Sequence, residues 1–280
     1  MWHYRLGHSS FNNVSHVIKA HSLLTLNENS NKNVFYDSCQ LGKSKQIPFS
    51  ASTRISTAPL ELIHTDLWTS PIPSISGCKY YIIFVDDFTC YMWLYPLHHK
   101  YEAYETFAKF KILVETQLCC KIKQLQSDGG GEYTSLRFQQ LLSQHGIIHR
   151  KSCPHTFQQN GLAERKLRHI LEMGLTLLAH SGLSNTYWID AFLTTVYIIN
   201  RLPTPVLSHF SPYEKLFHQV PNYSILRVFG CKCFPLLRPY TNHKLEYQSN
   251  ASIFLRYSHA GYRCLDPFME KSVPFSPCCV

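Results

Sequence analysis

The chain has 280 residues, 45% of them hydrophobic, and carries 27 Lys and Arg against 18 Asp and Glu, a formal charge of +9. That length and apolar content exclude a disordered polypeptide and allow one large domain or two small ones with a buried core, while the charge favours an anionic, polyphosphate-like partner. Eleven cysteines without regular spacing exclude a secreted disulfide framework and read as reduced thiols.

In chain order, Met1 runs into "WHYRLGH" without a cleavable presequence, as in a frame opened inside a longer protein. His3 and His8 head a module of about forty residues, too small for a self-sufficient core and in need of a metal or disulfide staple. The polar stretch 44–59, "SKQIPFSASTRISTAP", is linker chemistry. From Leu60 the pattern is α/β. "LELIHTDLW" alternates Leu60, Leu62, His64 and Asp66 on one face, and "KYYIIFVDDFT" and "YMWLYPLHH" read as two more strands joined by an Asp-containing turn.

Ala103, Phe107, Phe110, Val114 and Leu118 form a helical stripe. "IKQLQSD" is a fourth strand ending at "DGGGE", and "TSLRFQQLLSQHG" a short helix closed by Gly146. "IIHRKS" is a fifth strand, and Asn160 an N-cap for the helix that carries Glu164. A further helix runs from about Asn185 to Asn200; "YWIDAFLTTVYIIN" within it contains Asp190 and is too short for a membrane span of roughly 18 residues or more, so a soluble protein is expected. The order predicts a mixed five-stranded sheet with flanking helices. After Pro203, "LRVFGCKCFPLL" and "ASIFLRYS" suggest a small β-barrel-like segment.

Three acids fall at element ends where they can converge: Asp66 on the first strand, Asp128 ending the fourth, and Glu164 opening the helix after the fifth, with 35 residues between the last two. Carboxylates gathered in a cleft raise one another's pKa unless a hard divalent cation such as Mg2+ or Mn2+ compensates. Two such ions could activate an attacking oxygen and stabilise a leaving one in phosphodiester displacement. Singly, each acid also reads as a strand-end, turn or solvated helix charge. Asp86 and Asp87 point to opposite faces of an extended segment and read as a turn pair.

"HTDLW", "YYIIFVDDFTCYMWLYPL", "LQSDGGGEY" and "CPHTFQQNGLAERKLRHILEMGLTLLAHSG" resemble the integrase region of copia-type LTR retrotransposon polyproteins, over residues 2 to 267. The resemblance implies an RNase H-like catalytic core over residues 60–203. It also implies a pre-integrase module at 1–43, a linker at 44–59 and a truncated β-rich segment at 204–280. It implies that Asp66, Asp128 and Glu164 match the acidic triad that holds the catalytic Mg2+ or Mn2+. The implied reaction has two parts: water cleaves element DNA ends, and the freed 3′-hydroxyl then attacks target DNA. DNA is the implied partner, with multimeric assembly and a nuclear location, although no nuclear signal is evident.

Of the family's His-His-Cys-Cys zinc site, His3, His8 and Cys39 match, but Tyr36 stands where the first cysteine belongs. Zinc binding is therefore expected to be weakened or absent unless Asp37 or water completes the shell. Cys90, Phe157 and Arg256 also depart from the pattern, in places where a basic residue, proline and glycine are usual, and the chain suggests a truncated, degenerate copy.

Lys151, Asn160, Arg165, Lys166 and Arg168 are the expected DNA contacts. Arg168, one turn after Glu164, could hold a phosphate or form a surface ion pair with it, and "QQNG" could supply amides or simply turn. Cys231 and Cys233 read as one face of a buried strand rather than a metal pair. Two functions stand: a metal-dependent polynucleotidyl transferase, or a catalytically silent nucleic-acid-binding remnant. An RNase H-type nuclease shares the fold but lacks support from the module order and the spacing.

Overall fold

The computed structural model describes Arg5 and residues 11–22, 56–152, 160–236, 247, 249–258, 261–266 and 271–275. The chain divides into two compact units, residues 1–53 and 54–280. In the first, helix α1 spans Phe11–Ala20. His3, His8, Tyr36, Asp37 and Cys39 lie outside the described residues, as does Phe157.

In the second unit, β1 (Leu62–Thr69), β2 (Tyr80–Asp86), β3 (Met92–Leu97), β4 (Gln124–Ser127) and β5 (Ile148–Lys151) form one sheet. Their order is β3-β2-β1-β4-β5. The first three strands run antiparallel to their neighbours, whereas β4 joins β1, and β5 joins β4, in parallel. This is the expected mixed five-stranded sheet. β2 is an unbroken apolar run because both of its faces are covered. Ile82 and Phe84 pack with α2 (Ala103–Leu118) and α4 (Leu136–Gln144), while Tyr81, Ile83 and Val85 pack with α5 (Gly161–Ser181) and α6 (Trp188–Ile199).

The stripe predicted on α2 is the one that sinks into the core: Ala103, Phe107, Phe110 and Val114 are fully buried, and Phe110 stacks on Phe84 at 4.1 Å. The helix expected from Thr134 begins at Leu136, and a separate short turn of helix precedes it. α3 (Gly131–Thr134) stops at Ser135, whose extended backbone and side chain, accepting from Phe138 N at 3.4 Å, start α4 afresh. His145 takes the C-cap position and Gly146 follows at φ +65°. The end of the expected linker already belongs to this unit, since buried Ser56 donates from Oγ to Asp87 Oδ2 at 2.6 Å.

Close approach of α5 and α6 depends on Gly174, where an added Cβ would lie 2.6 Å from Cε1 of buried Phe192. Gly174→Ala is expected to lower stability by about 1–3 kcal/mol despite the better helix propensity of alanine, because a packed ring must shift. Chemical denaturation of the variant checks this; an unchanged midpoint would show that Phe192 relocates freely.

The C-terminal part forms a four-stranded antiparallel sheet, β6 (Lys232–Cys233), β7 (Ser252–Ser258), β8 (Gly261–Asp266) and β9 (Lys271–Phe275). Among the described residues of "LRVFGCKCFPLL" only Lys232 and Cys233 are strand. β9 carries Pro274, which argues against a central strand and is accommodated because β9 lies at the sheet edge. Thr194 Oγ1 on α6 donates to Leu255 O at 2.9 Å, seating this sheet on the helix.

Arg256, unusual by the sequence pattern, reaches Asp190 of α6, Nε to Oδ1 3.1 Å, in a Coulombic contact that lacks hydrogen-bond alignment. Cys233 is buried, with its Sγ 3.4 Å from Cys264 Sγ. Among the described residues no helix is long and apolar enough to cross a membrane.

Candidate active site

The register of β1 and β4 determines where the acids fall. His64 pairs with Gln126 in parallel, so Asp66, in the middle of β1, and Asp128, just past the end of β4, each lie two residues further on and come to one level on adjacent strands. α5 packs against β1 and β2 and places half-buried Glu164 in its first turn. Asp66 shares a strand face with Trp68, whose ring lies 5.1 Å from that of Tyr81 and 6.0 Å from that of Trp188. This aromatic floor removes water beside the carboxylate.

The result is electrostatic conflict. Burial first, then Asp128, and to a lesser extent Glu164 and Glu132, push the Asp66 carboxyl up to about 7, although Leu67 N–H donates to Oδ1 at 2.8 Å and opposes the shift. Asp128 is exposed and accepts Gly130 N–H at 3.0 Å in its own turn. Glu132, from "DGGGE", is a fourth carboxylate in this field, masked in the sequence by the turn signal of three glycines.

The donor set is oxygen only, which suits a hard divalent cation, and the raised Asp66 is the kind of conflict such a cation relieves. The acids share a field without closing into a cage: among the described residues, no group of three or more His, Cys, Asp or Glu is arranged to hold an ion.

The elements behind the acids are tied together. Thr65, next to Asp66, has its hydroxyl 3.0 Å from Tyr133 Oη, and its carbonyl accepts Asn160 Nδ2 at 3.0 Å. Asn160 sits at the N-cap position of α5, but its side chain does not cap the helix. It is 2% exposed, and the expectation of a capping, DNA-facing amide gives way to a buried clamp between α5 and β1.

The expected basic contacts separate. Lys151, Arg165 and Arg168 are exposed, whereas Lys166 is half-buried, with burial pushing its ammonium pKa down near the Cys90 thiol. Neither Glu164 nor Arg168 pairs with the other among the described residues.

Asp86 and Asp87 serve the turn, as expected. Asp86, fully buried, accepts from Leu60 N, Thr89 N and Thr89 Oγ1 at 2.7–2.9 Å. Asp87 lies 2.9 Å from His64 Nε2, and that hydrogen bond is the main reason its pKa is lowered.

Three families match in succession: GAG-pre-integrase domain over residues 1–44, Integrase core domain over 56–156, and Retroviral polymerase SH3-like domain over 231–273. Two Arabidopsis thaliana proteins described as retrovirus-related Pol polyproteins, from transposons RE2 and RE1, are 53% and 51% identical over 98% and 94% of this chain. The chain spans about a fifth of their length, 20% and 18%. A chain in the structure of a simian T-cell lymphotropic virus intasome, 15% identical, superposes with a TM-score of 0.53 over 97% of this chain and 95% of that one. It shares the RNase H-like fold.

Proposed function

From the premise that this chain belongs to the retrotransposon integrase family, we propose that it is the part of a Pol polyprotein that joins element DNA to target DNA as a polynucleotidyl transferase. The observation that carries this is the common level of Asp66 and Asp128 on adjacent parallel strands, with Glu164 across from them on α5 and Asp66 pushed up to about 7 by burial and its neighbours' charge.

Asp66, Asp128 and Glu164 would hold Mg2+ or Mn2+, which when bound supplies Lewis-acid stabilisation to the attacking and leaving oxygens of a phosphodiester. The protein's own share is positional and protonic. Asp66 must release the proton it holds near neutrality before it can serve as an oxygen ligand. Trp68 and Tyr81 exclude water from its inner side. Exposed Arg165 and Arg168 on α5 and Lys151 at the end of β5 offer phosphate contacts that hold a DNA end over the acids.

Assembly into a multimer, action in the nucleus and recognition of element ends are proposed on the family resemblance. A second reading, a silent DNA-binding remnant, is favoured by the open arrangement of the acids. Incubating the chain with labelled duplex and Mn2+ separates the two: metal-dependent nicks or strand-transfer products support the enzyme, and binding without product supports the remnant. In either case affinity is expected to fall steeply with salt, and Arg168→Ala should reduce the log–log slope by about one. A flat salt response would remove α5 as the phosphate surface.

A further inference from the structure

His149 on β5 uses both ring nitrogens. Nδ1 lies 2.9 Å from Gln139 Nε2 on α4, and Nε2 lies 2.9 Å from Ser127 Oγ at the end of β4. The Gln139 amide nitrogen also donates to Tyr133 O at 2.7 Å. An amide nitrogen only donates, so Nδ1 accepts and the ring proton resides on Nε2, directed at the serine. Ser127 is fully buried, immediately precedes Asp128, and its Oγ accepts Gly129 N–H at 3.3 Å. Burial, with a smaller contribution from Lys151, pushes the His149 pKa down to about 4, so the ring stays neutral across the working range.

This chain of contacts ends at the turn that presents Asp128. A histidine that merely filled space would need neither nitrogen.

We propose that His149 is a positioning residue, which as an Nε2–H imidazole braced by Gln139 holds Ser127 and the Asp128–Gly129 turn in the register that sets Asp128 beside Asp66. The assignment rests on the reading of Asp66, Asp128 and Glu164 as the reacting site. Polar groups behind metal ligands typically govern metal affinity about 10- to 100-fold without touching the reacting atoms.

The test compares the full chain with His149→Phe, which keeps a ring against Phe138, with Ser127→Ala, and with the double variant. Calorimetry measures Mn2+ binding without DNA, and nicking assays give the KM for duplex. The expected result is Mn2+ affinity weakened about tenfold in each single variant and no further in the double, with the KM for DNA within about twofold. Unchanged Mn2+ affinity in folded variants, or losses that multiply in the double, would overturn the assignment.

Should the variants not fold, nitrogen-15 spectra of the wild-type imidazole decide. A neutral Nε2–H ring between about pH 6 and 8 supports the proposal, and an Nδ1–H or charged ring overturns it. A wild-type chain that binds Mn2+ but nicks no DNA refutes the enzymatic reading alone, leaving His149 to be judged by calorimetry. One that binds no Mn2+ overturns both.

Discussion

Glu164→Gln is expected to reduce Mn2+-dependent nicking and strand transfer by about a thousandfold or more, equivalent to about 4 kcal/mol of barrier, while leaving the melting temperature nearly unchanged. The substitution preserves shape and removes one negative charge from a half-buried position at the start of α5, where among the described residues the carboxylate has no ion-pair partner to lose. What disappears is the third charge that the proposed site, formed with Asp66 of β1 and Asp128 after β4, would offer a divalent cation. Asp86→Asn is the informative contrast. Asp86 is buried with three hydrogen bonds, two from Thr89 that close the β2–β3 turn and one from Leu60 N that ties it to the start of the domain, so its neutral amide should cost about 1–3 kcal/mol of stability and leave the rate per folded molecule unaltered. Equal loss of activity in both variants, measured on folded protein at saturating Mn2+, would mean that Glu164 acts through the fold and not at the reacting phosphate.

The parts of this arrangement legible in the sequence were those written as periodicity. β2 and the α2 stripe follow from an unbroken apolar run and a 3.6-residue repeat, both of which report burial directly. The common level of Asp66 and Asp128 was foreshadowed by Asp66 lying on the first strand and Asp128 closing the fourth. What stayed hidden depended on a choice between partners. Asn160 could cap its own helix or reach another element, and the nearby carbonyl of Thr65 decided the matter. The same holds for Lys166, whose charge promised a solvent-facing contact until β3's turn covered it beside Cys90. His149 looked like any histidine in a strand, because its partners lie 10 and 22 residues away. β9 was missed because Pro274 penalises a central strand but not an edge one.

Asp66 should make the metal-free chain less stable as pH rises. Its carboxyl titrates at about 7 when folded, against an ordinary value of 3.8. Below about pH 4 the acid is protonated whether folded or unfolded, and nothing is lost. Between the two values the unfolded chain releases the proton while the folded chain retains it, so the unfolding free energy falls with pH and levels off above about 7. The ceiling is about 4 kcal/mol, and partial exposure reduces it to about half that size by screening. Other groups contribute with their own signs: His149, depressed to about 4, costs stability as pH falls below its ordinary 6.5. Comparison with Asp66→Asn isolates the carboxylate, since the amide mimics the protonated acid at every pH. The variant should match wild type near pH 3 and melt about 4–8 °C higher at pH 8, and Mn2+ should shrink that gap by stabilising only the wild type. A difference independent of pH would show that Asp66 is ionised throughout and that its neighbours' charges are already screened. If the gap opens as expected, the same proton explains why nicking at limiting Mn2+ should fall as pH drops through 7: cation and proton compete for one carboxylate, and burial on the Trp68–Tyr81 floor sets the terms of that competition.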